Sequence, residues 1–202
     1  GKIDRFVEIA MGEVGYYEDA TRQGKTSSSR NWPSATKFDK FFDPKATKAG
    51  EWCAKFVSWC ANQAGLDLKI SGGRFALCRD AAKKYFDKGI YYWYQPRNDG
   101  NQTAFRPHKG DLIFFAKKDV RNKNGFQYVS HVGIVLAYNS ADDSIYTIEG
   151  NRTANISETV KKKAVVVTKY SKYNQYSEMI INGFVNMGGT GYGEIPKGDK
   201  DK

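Results

Sequence analysis

Apolar residues at Ile3, Phe6, Val7, Ala10, Met11 and Val14 recur at helical spacing and stop at Gly15, which predicts an amphipathic first helix over Ile3 to Val14. Tyr16 to Lys37 is rich in Gly, Ser, Thr, Arg and Asn and reads as a loop, of a length that in compact domains often serves function. Phe38, Phe41 and Phe42 then predict a short helical turn pinned to the core. Between Glu51 and Gly65 the pattern inverts. Lys55, Ser58 and Asn62 form one narrow polar stripe, while Trp52, Phe56, Val57, Trp59, Cys60, Ala61 and Ala64 cover the remaining surface. A helix of that kind is mostly buried. The loop-like Lys48-Ala49-Gly50 sets its start close to Cys53, and Gly65 ends it. Arg74 to Lys88, with Phe75, Cys78, Ala81, Ala82, Tyr85 and Phe86 at helical spacing before Gly89, predicts a further helix.

From Tyr91 the texture changes. Tyr91 to Tyr94 is aromatic and strand-like, and Gln95 to Lys109 is polar and broken by Pro96, Gly100 and Pro107. Strands are predicted at Asp111 to Ala116, Val129 to Ala137, Ser144 to Glu149, Ala164 to Lys169 and Ile180 to Met187, with turns such as Asn124-Gly125 and Asn139-Ser140. Helices first and strands afterwards predict an α+β fold, N-terminal helices packed on an antiparallel sheet of about five to six strands. The pattern supports a single domain over residues 1–187. Gly188 to Lys202 is glycine-rich without apolar periodicity and is expected to be a flexible tail or linker.

Composition narrows the partners. A chain of 202 residues with 40% hydrophobic content can bury one core, and its net charge of +10 suits a polyanion such as nucleic acid, anionic lipid or an anionic cell-wall polymer. No nucleic-acid-binding motif accompanies the basic residues, and the longest basic run, Lys161-Lys162-Lys163, reads as an ordinary solvated face, so nucleic acid is not expected as a partner. No apolar run is long enough to cross a bilayer, and the N-terminus lacks the succession of a signal peptide. Cys53, Cys60 and Cys78 include no Cys-x-x-Cys pair, which argues against a disulfide framework or zinc ribbon and for one working thiol with two structural ones.

Cys53 is the candidate working thiol because the first turn of a helix favours a thiolate and places N–H donors beside it. His108, between Pro107 and Lys109, reads as a surface histidine. In Ser130-His131-Val132-Gly133-Ile134-Val135-Leu136, strand alternation puts Val132, Ile134 and Leu136 on one face and His131 with Gly133 on the other, where the glycine leaves room for something to approach the imidazole. Period-two spacing points Glu149 and Asn151 the same way, a carboxylate and an amide of the kind that orients a catalytic imidazole. Read singly, each has a bland alternative: a buried small hydrophobe for Cys53, a satisfied core histidine for His131, and solvent-facing polar groups for Glu149 and Asn151.

Taken together, Glu51-Trp52-Cys53-Ala54-Lys55-Phe56-Val57-Ser58-Trp59-Cys60, Gly110-Asp111-Leu112-Ile113-Phe114-Phe115, Ser130-His131-Val132-Gly133-Ile134-Val135 and Ile148-Glu149-Gly150-Asn151 resemble the successive motifs of the CHAP family. These are cysteine- and histidine-dependent amidohydrolases and peptidases, related to the NlpC/P60 cell-wall hydrolases on a papain-like fold. The resemblance covers about Ile3 to Met187. It implies Cys53 as nucleophile, His131 as general base, Glu149 and Asn151 as residues that orient and polarise the imidazole, and Gly110 and Asp111 as structural. The implied activity is cleavage of an amide in peptidoglycan through a cysteine acyl-enzyme, as a muramoyl-alanine amidase or a stem or cross-bridge endopeptidase. The expected protein is a monomer, extracellular or wall-associated, that meets peptidoglycan and anionic wall polymers and is attached to further domains in a full-length chain. A weakly active or inactive wall-binding module of a phage-tail, secretion or conjugation assembly is the alternative.

Cys60 lies two helical turns past Cys53, roughly 10 Å away, too far to bridge, and Cys78 reads as packing. The approach Pro44-Lys45-Ala46-Thr47-Lys48-Ala49-Gly50-Glu51 lacks the paired aspartates of the calcium loop that some phage members carry, and the cysteines and histidines show no paired ligand spacing. Neither a metal nor another cofactor is expected. No glutamine lies between Phe38 and Trp52 to serve as a papain-like oxyanion donor, which leaves the Cys53 backbone N–H.

Overall fold

The buried helix that begins at Cys53 is the element on which the others converge. The computed structural model describes residues 1–19, 33–95, 103–117, 125–171 and 179–197. Within them, α1 (Lys2–Gly12), α2 (Lys37–Phe42), α3 (Cys53–Ala64) and α4 (Cys78–Asp87) precede β1 (Tyr91–Trp93), β2 (Leu112–Lys117), β3 (Val129–Asn139), β4 (Ser144–Asn155), β5 (Lys161–Tyr170) and β6 (Met179–Val185). The strands form one antiparallel sheet in the order β1-β6-β2-β3-β4-β5. This is the α+β arrangement that the hydrophobic pattern predicts, with helices on an antiparallel sheet.

Both faces of the sheet are apolar. Leu112, Phe114, Val132, Ile134 and Ile148 join the helices in the main core, while the alternate positions Ile113, Phe115, Val135, Ile145, Tyr170, Ile181 and Phe184 form a second cluster. Phe38 of α2 organises the helical side. Its ring stacks on Trp52 at 5.4 Å and meets Phe56 and Trp59 edge-on at 5.2 and 5.3 Å.

The polar stripe of α3 is used for attachment more than for solvation. Lys55 Nζ reaches buried Asp39 at 3.0 Å, and the same carboxylate closes a capping box with Thr36 and accepts the Gly50 N–H at 3.0 Å. Asp39 thus ties α2 to both the approach and the first turn of α3. Burial would raise its pKa, but the donors from Thr36, Lys55 and Gly50 outweigh that and hold it below its ordinary value. Ser58 Oγ donates to Phe75 O and accepts from Phe75 N–H, both at 3.0 Å. That clamp explains why α4 starts at Cys78, four residues after the expected start at Arg74: the segment through Phe75 is held extended against α3.

Three other expectations differ from the structure. β4 and β5 extend into a longer hairpin than predicted, reaching Asn155 and Lys161, because polar sequence at Arg152 to Asn155 and Lys161 to Lys163 carries no apolar pattern while its backbone still pairs. The segment after β6, expected to be loose, is tied to the body as far as Tyr192. Lys109 N–H donates to Gly191 O at 2.9 Å, and Tyr138 N–H to Tyr192 O at 2.8 Å. His108, expected on the surface, stacks on Tyr192 at 5.1 Å and lies 3.6 Å from the buried Asp111 carboxylate, whose pKa burial pushes up to about 6. Residues 198–202 and Asn124 lie outside the described residues.

Replacing Ser58 with Ala tests the clamp. Alanine is the better helix former, yet the substitution strands the Phe75 N–H and C=O, so urea unfolding should show a loss of about 1–3 kcal/mol. A neutral or stabilising result would show that the clamp does not hold this segment.

Candidate active site

The site lies where two neighbouring strands part. β3 pairs with β4 only as far as Ile134 and Ile148; beyond that point β3 remains on β2 down to Val129, and β4 remains on β5 out to Asn155. The N-terminal part of α3 packs into this opening against both strands. Gly150 marks how close the helix comes, since a Cβ there would lie 2.9 Å from both Phe56 Cβ and Trp52 Cζ3. Gly150 and Asn151 together face the single residue Val165 across the hairpin, a bulge in which Asn151 adopts a φ of 60°. Asparagine tolerates that left-handed conformation better than most residues.

Cys53 is the first residue of α3 and only 4% exposed. The first ladder bond of the helix runs from Phe56 N–H to Trp52 O at 2.9 Å, so the N–H groups of Cys53, Ala54 and Lys55 precede the ladder and leave the positive end of the dipole at the thiol. Trp52, just before it, is fixed by stacking on Phe38 and by its Nε1–H, which donates to buried Glu18 at 2.8 Å. The position of Cys53 at the start of α3 is thereby fixed through its neighbour.

His131 contacts Glu149 through Nε2, 2.6 Å from Oε1, which leaves Nδ1 as the nitrogen for Cys53. The other carboxylate oxygen of Glu149 accepts from Thr147 Oγ1 at 2.5 Å and from Tyr170 Oη at 2.7 Å, and the Arg152 guanidinium lies 3.8 Å from Oε1. The room predicted beside His131 at Gly133 is filled by this carboxylate's stem: a Cβ at Gly133 would sit 2.6 Å from Glu149 Cγ. Phe115 flanks the imidazole at 5.5 Å.

The electrostatics follow from these contacts. The Cys53 thiol is held well below its ordinary pKa by a hydrogen bond from Cys78 and by the His131 imidazolium, against burial, which opposes the thiolate. Burial works against the charged imidazole too. The Cys53 thiolate and the Glu149 carboxylate outweigh it and raise His131 to about 9. For Glu149 burial again opposes the charge, and the His131 interaction, Arg152 and Thr147 keep its pKa lowered. The arrangement is a buried relay of alternating charge, able to hold a thiolate nucleophile beside a protonated imidazole.

Asn151 is tied to the approach to α3. Its Nδ2 donates to Glu51 Oε2 at 2.6 Å, and its buried Oδ1 has no hydrogen-bond partner among the described residues. Asn151 lines the same cleft, of about 740 Å³, as Glu51, Cys53, Lys117, His131, Arg152 and Lys163. The cleft walls carry more positive than negative side chains.

Several participants were not singled out from sequence. Thr147 shares the strand face of Glu149 two positions earlier, so period-two reading could have found it. Tyr170 and Arg152 depend on the register and bulge of the hairpin, and Cys78, expected only to pack, lies with Sγ 3.8 Å from Cys53 Sγ. Cys60 is fully buried elsewhere on α3, where burial pushes its thiol well up.

Among the described residues no three His, Cys, Asp or Glu side chains gather as a metal site. The carboxylates on the approach to Cys53 are committed to other partners: Asp39 to Lys55 and Gly50, Asp43 to the Lys45 N–H at 3.0 Å, and Glu51 to Asn151. Those donors do not fit a calcium ion at that approach, which would need six or more oxygens.

A model of the CHAP domain family matches residues 44–151, more than half of the chain. The matched span runs from the approach to α3 through Asn151. No curated protein matches the chain closely enough to be named as a relative.

Two outcomes are expected. Gly133→Ala should displace Glu149 from the imidazole and lower stability by about 1–3 kcal/mol; wild-type stability with an unshifted His131 titration by NMR would contradict the packing described. Alkylation of Cys53 by iodoacetamide should already be fast below the ordinary thiol range, and in His131→Ala its pH midpoint should move upward, because the imidazolium that favours the thiolate is gone. An unmoved midpoint would separate the two residues.

Proposed function

The chain belongs to the CHAP domain family, and from that premise we propose that it is a peptidoglycan hydrolase that cleaves an amide bond through a cysteine acyl-enzyme. The observation that carries the reading is the His131 ring held between Cys53 and the triply anchored Glu149 at the wall of an open cleft. A hydrolytic role is what the family is typical of.

The Cys53 thiolate attacks the scissile carbonyl, and the developing oxyanion is met by the Cys53 N–H at the start of α3, in the field of the helix dipole. Protonated His131 gives its Nδ1 proton to the leaving amine. Water then attacks the thioester with His131 as base, releasing the acid and restoring the thiolate. Glu149 keeps the imidazole oriented and stabilises its charge throughout, and Thr147 and Tyr170 keep Glu149 from rotating away.

The cleft supports an anionic peptide as the acyl donor. Lys117, Arg152 and Lys163 face it, against the single carboxylate Glu51, which is turned toward Asn151. Stem peptides of the bacterial wall carry free carboxylates beside their amides, and the net charge of +10 favours retention on anionic wall polymers. An extracellular or wall-associated monomer fits this use. The bond cut is either the muramoyl-alanine link or one within the stem or its cross-bridge. No helix of the described residues is long and apolar enough to cross a membrane.

Digestion of purified walls distinguishes the possibilities: a free lactyl group on muramic acid identifies an amidase, a new stem or bridge amine an endopeptidase, and new reducing sugar ends alone would refute the proposal. Cys53→Ala should abolish hydrolysis with the fold retained, whereas Cys60→Ala should lose about 1 kcal/mol of stability and little activity. Hydrolysis should rise with pH as Cys53 loses its proton, at a pH below the ordinary thiol range, and fall as His131 loses its own near pH 9. A rate still rising well above that pH would contradict the assigned imidazolium.

A further inference from the structure

Two helices of this chain start on a cysteine, and the two starts meet. Cys53 is the first residue of α3 and Cys78 the first residue of α4, and their sulfur atoms are 3.8 Å apart, in contact with no atom between them. Both are free thiols, and both are buried, at 4% and 6% exposure. Cys53 alone of the two lines the cleft. The segment that carries Cys78 is fixed against α3 by the Ser58 clamp on Phe75, so the approach of the two sulfurs is built into the packing of α3 on α4.

We propose that Cys53 and Cys78 form a reversible disulfide site, in which Cys78 is the resolving thiol that protects the nucleophile from peroxide and silences the enzyme while oxidised. The thiolate of Cys53, open to the cleft, attacks a peroxide oxygen and breaks the O–O bond, so that Cys53 becomes a sulfenic acid and peroxide leaves as hydroxide. The Cys78 sulfur then attacks the Cys53 sulfur. An S–S bond forms, the S–O bond breaks, and the hydroxyl leaves as water with the Cys78 proton. The two thiols have together lost two electrons to one peroxide. The sulfurs stand at 3.8 Å and must come about 1.8 Å closer, to the bond length of about 2.05 Å. A dithiol reductant reverses the step by thiol–disulfide exchange.

The chemistry selects Cys78 over Cys60. Cys60 lies on the same helix as Cys53 but two turns along and fully buried, outside the cleft lining. Cys78, which reads from sequence as a packing residue, is the only other described cysteine within contact of the nucleophile. This inference rests on the proposed role of Cys53 only for its effect on activity; the disulfide itself does not depend on what the enzyme cleaves.

The test treats the full chain with a small excess of hydrogen peroxide, then maps peptides by mass spectrometry without reduction and in parallel follows hydrolysis before and after dithiothreitol. The expected result is a Cys53–Cys78 cross-linked peptide, loss of activity, and near-complete recovery on reduction. In Cys78→Ala the cross-link is absent, Cys53 proceeds to sulfinic acid, and recovery by dithiothreitol falls at least several-fold; Cys60→Ala responds as wild type. Sulfinic acid on wild-type Cys53 without the cross-link, or equal recovery in Cys78→Ala, overturns the proposal. The cross-link appearing in a protein that does not hydrolyse walls would leave this inference standing and remove the proposed function.

Discussion

A thiolate and an imidazolium buried side by side survive only where each charge is matched locally, because the protein interior penalises either one alone. Here the matching is sequential. The dipole of α3 and the Cys78 thiol face the Cys53 sulfur, Glu149 faces His131, and Thr147, Tyr170 and Arg152 face Glu149. Removing any member leaves its neighbour uncompensated, so the constraint reaches from the first turn of a helix to the last residue of β5.

That constraint accounts for features of the fold that would otherwise look incidental. The strands β3 and β4 must part for the helix start to enter, which requires pairing to stop at Ile134 and Ile148. The helix can come close only because residue 150 has no side chain, and Glu149 can reach the imidazole only because residue 133 has none. The aromatic box around Phe38 and the anchoring of Trp52 by Glu18 then fix the entry angle of α3. Function and packing share the same atoms along this stretch.

The hydrophobic pattern made the helices, most strands and the antiparallel class legible, since the core faces of α1, α3 and α4 keep their period and β2 and β3 keep theirs. It could not show the polar end of the hairpin from Arg152 to Lys163, where backbone pairing proceeds without apolar alternation. Period two brought Glu149 to the face of His131, but it could not show the bulge at Gly150 and Asn151 or the bond from the Asn151 amide to Glu51. Contacts between distant segments, such as Tyr170 with Glu149 or Cys78 with Cys53, depend on register and helix packing, neither of which a single sequence displays. The tail at Tyr192 shows the same limit: a glycine-rich stretch with one aromatic docks through backbone bonds and a stacked ring on His108.

The proposed reaction requires that Cys53, activated by His131, become covalently acylated by a wall peptide. Rapid acid quenching of the protein mixed with soluble muropeptides, followed by peptide mapping, reads this directly. The expected result is a mass increase equal to the acyl fragment on the peptide containing Cys53, absent in Cys53→Ala and decaying as product forms. Muropeptide cleavage without any adduct on Cys53, or with the adduct on another residue, would contradict it.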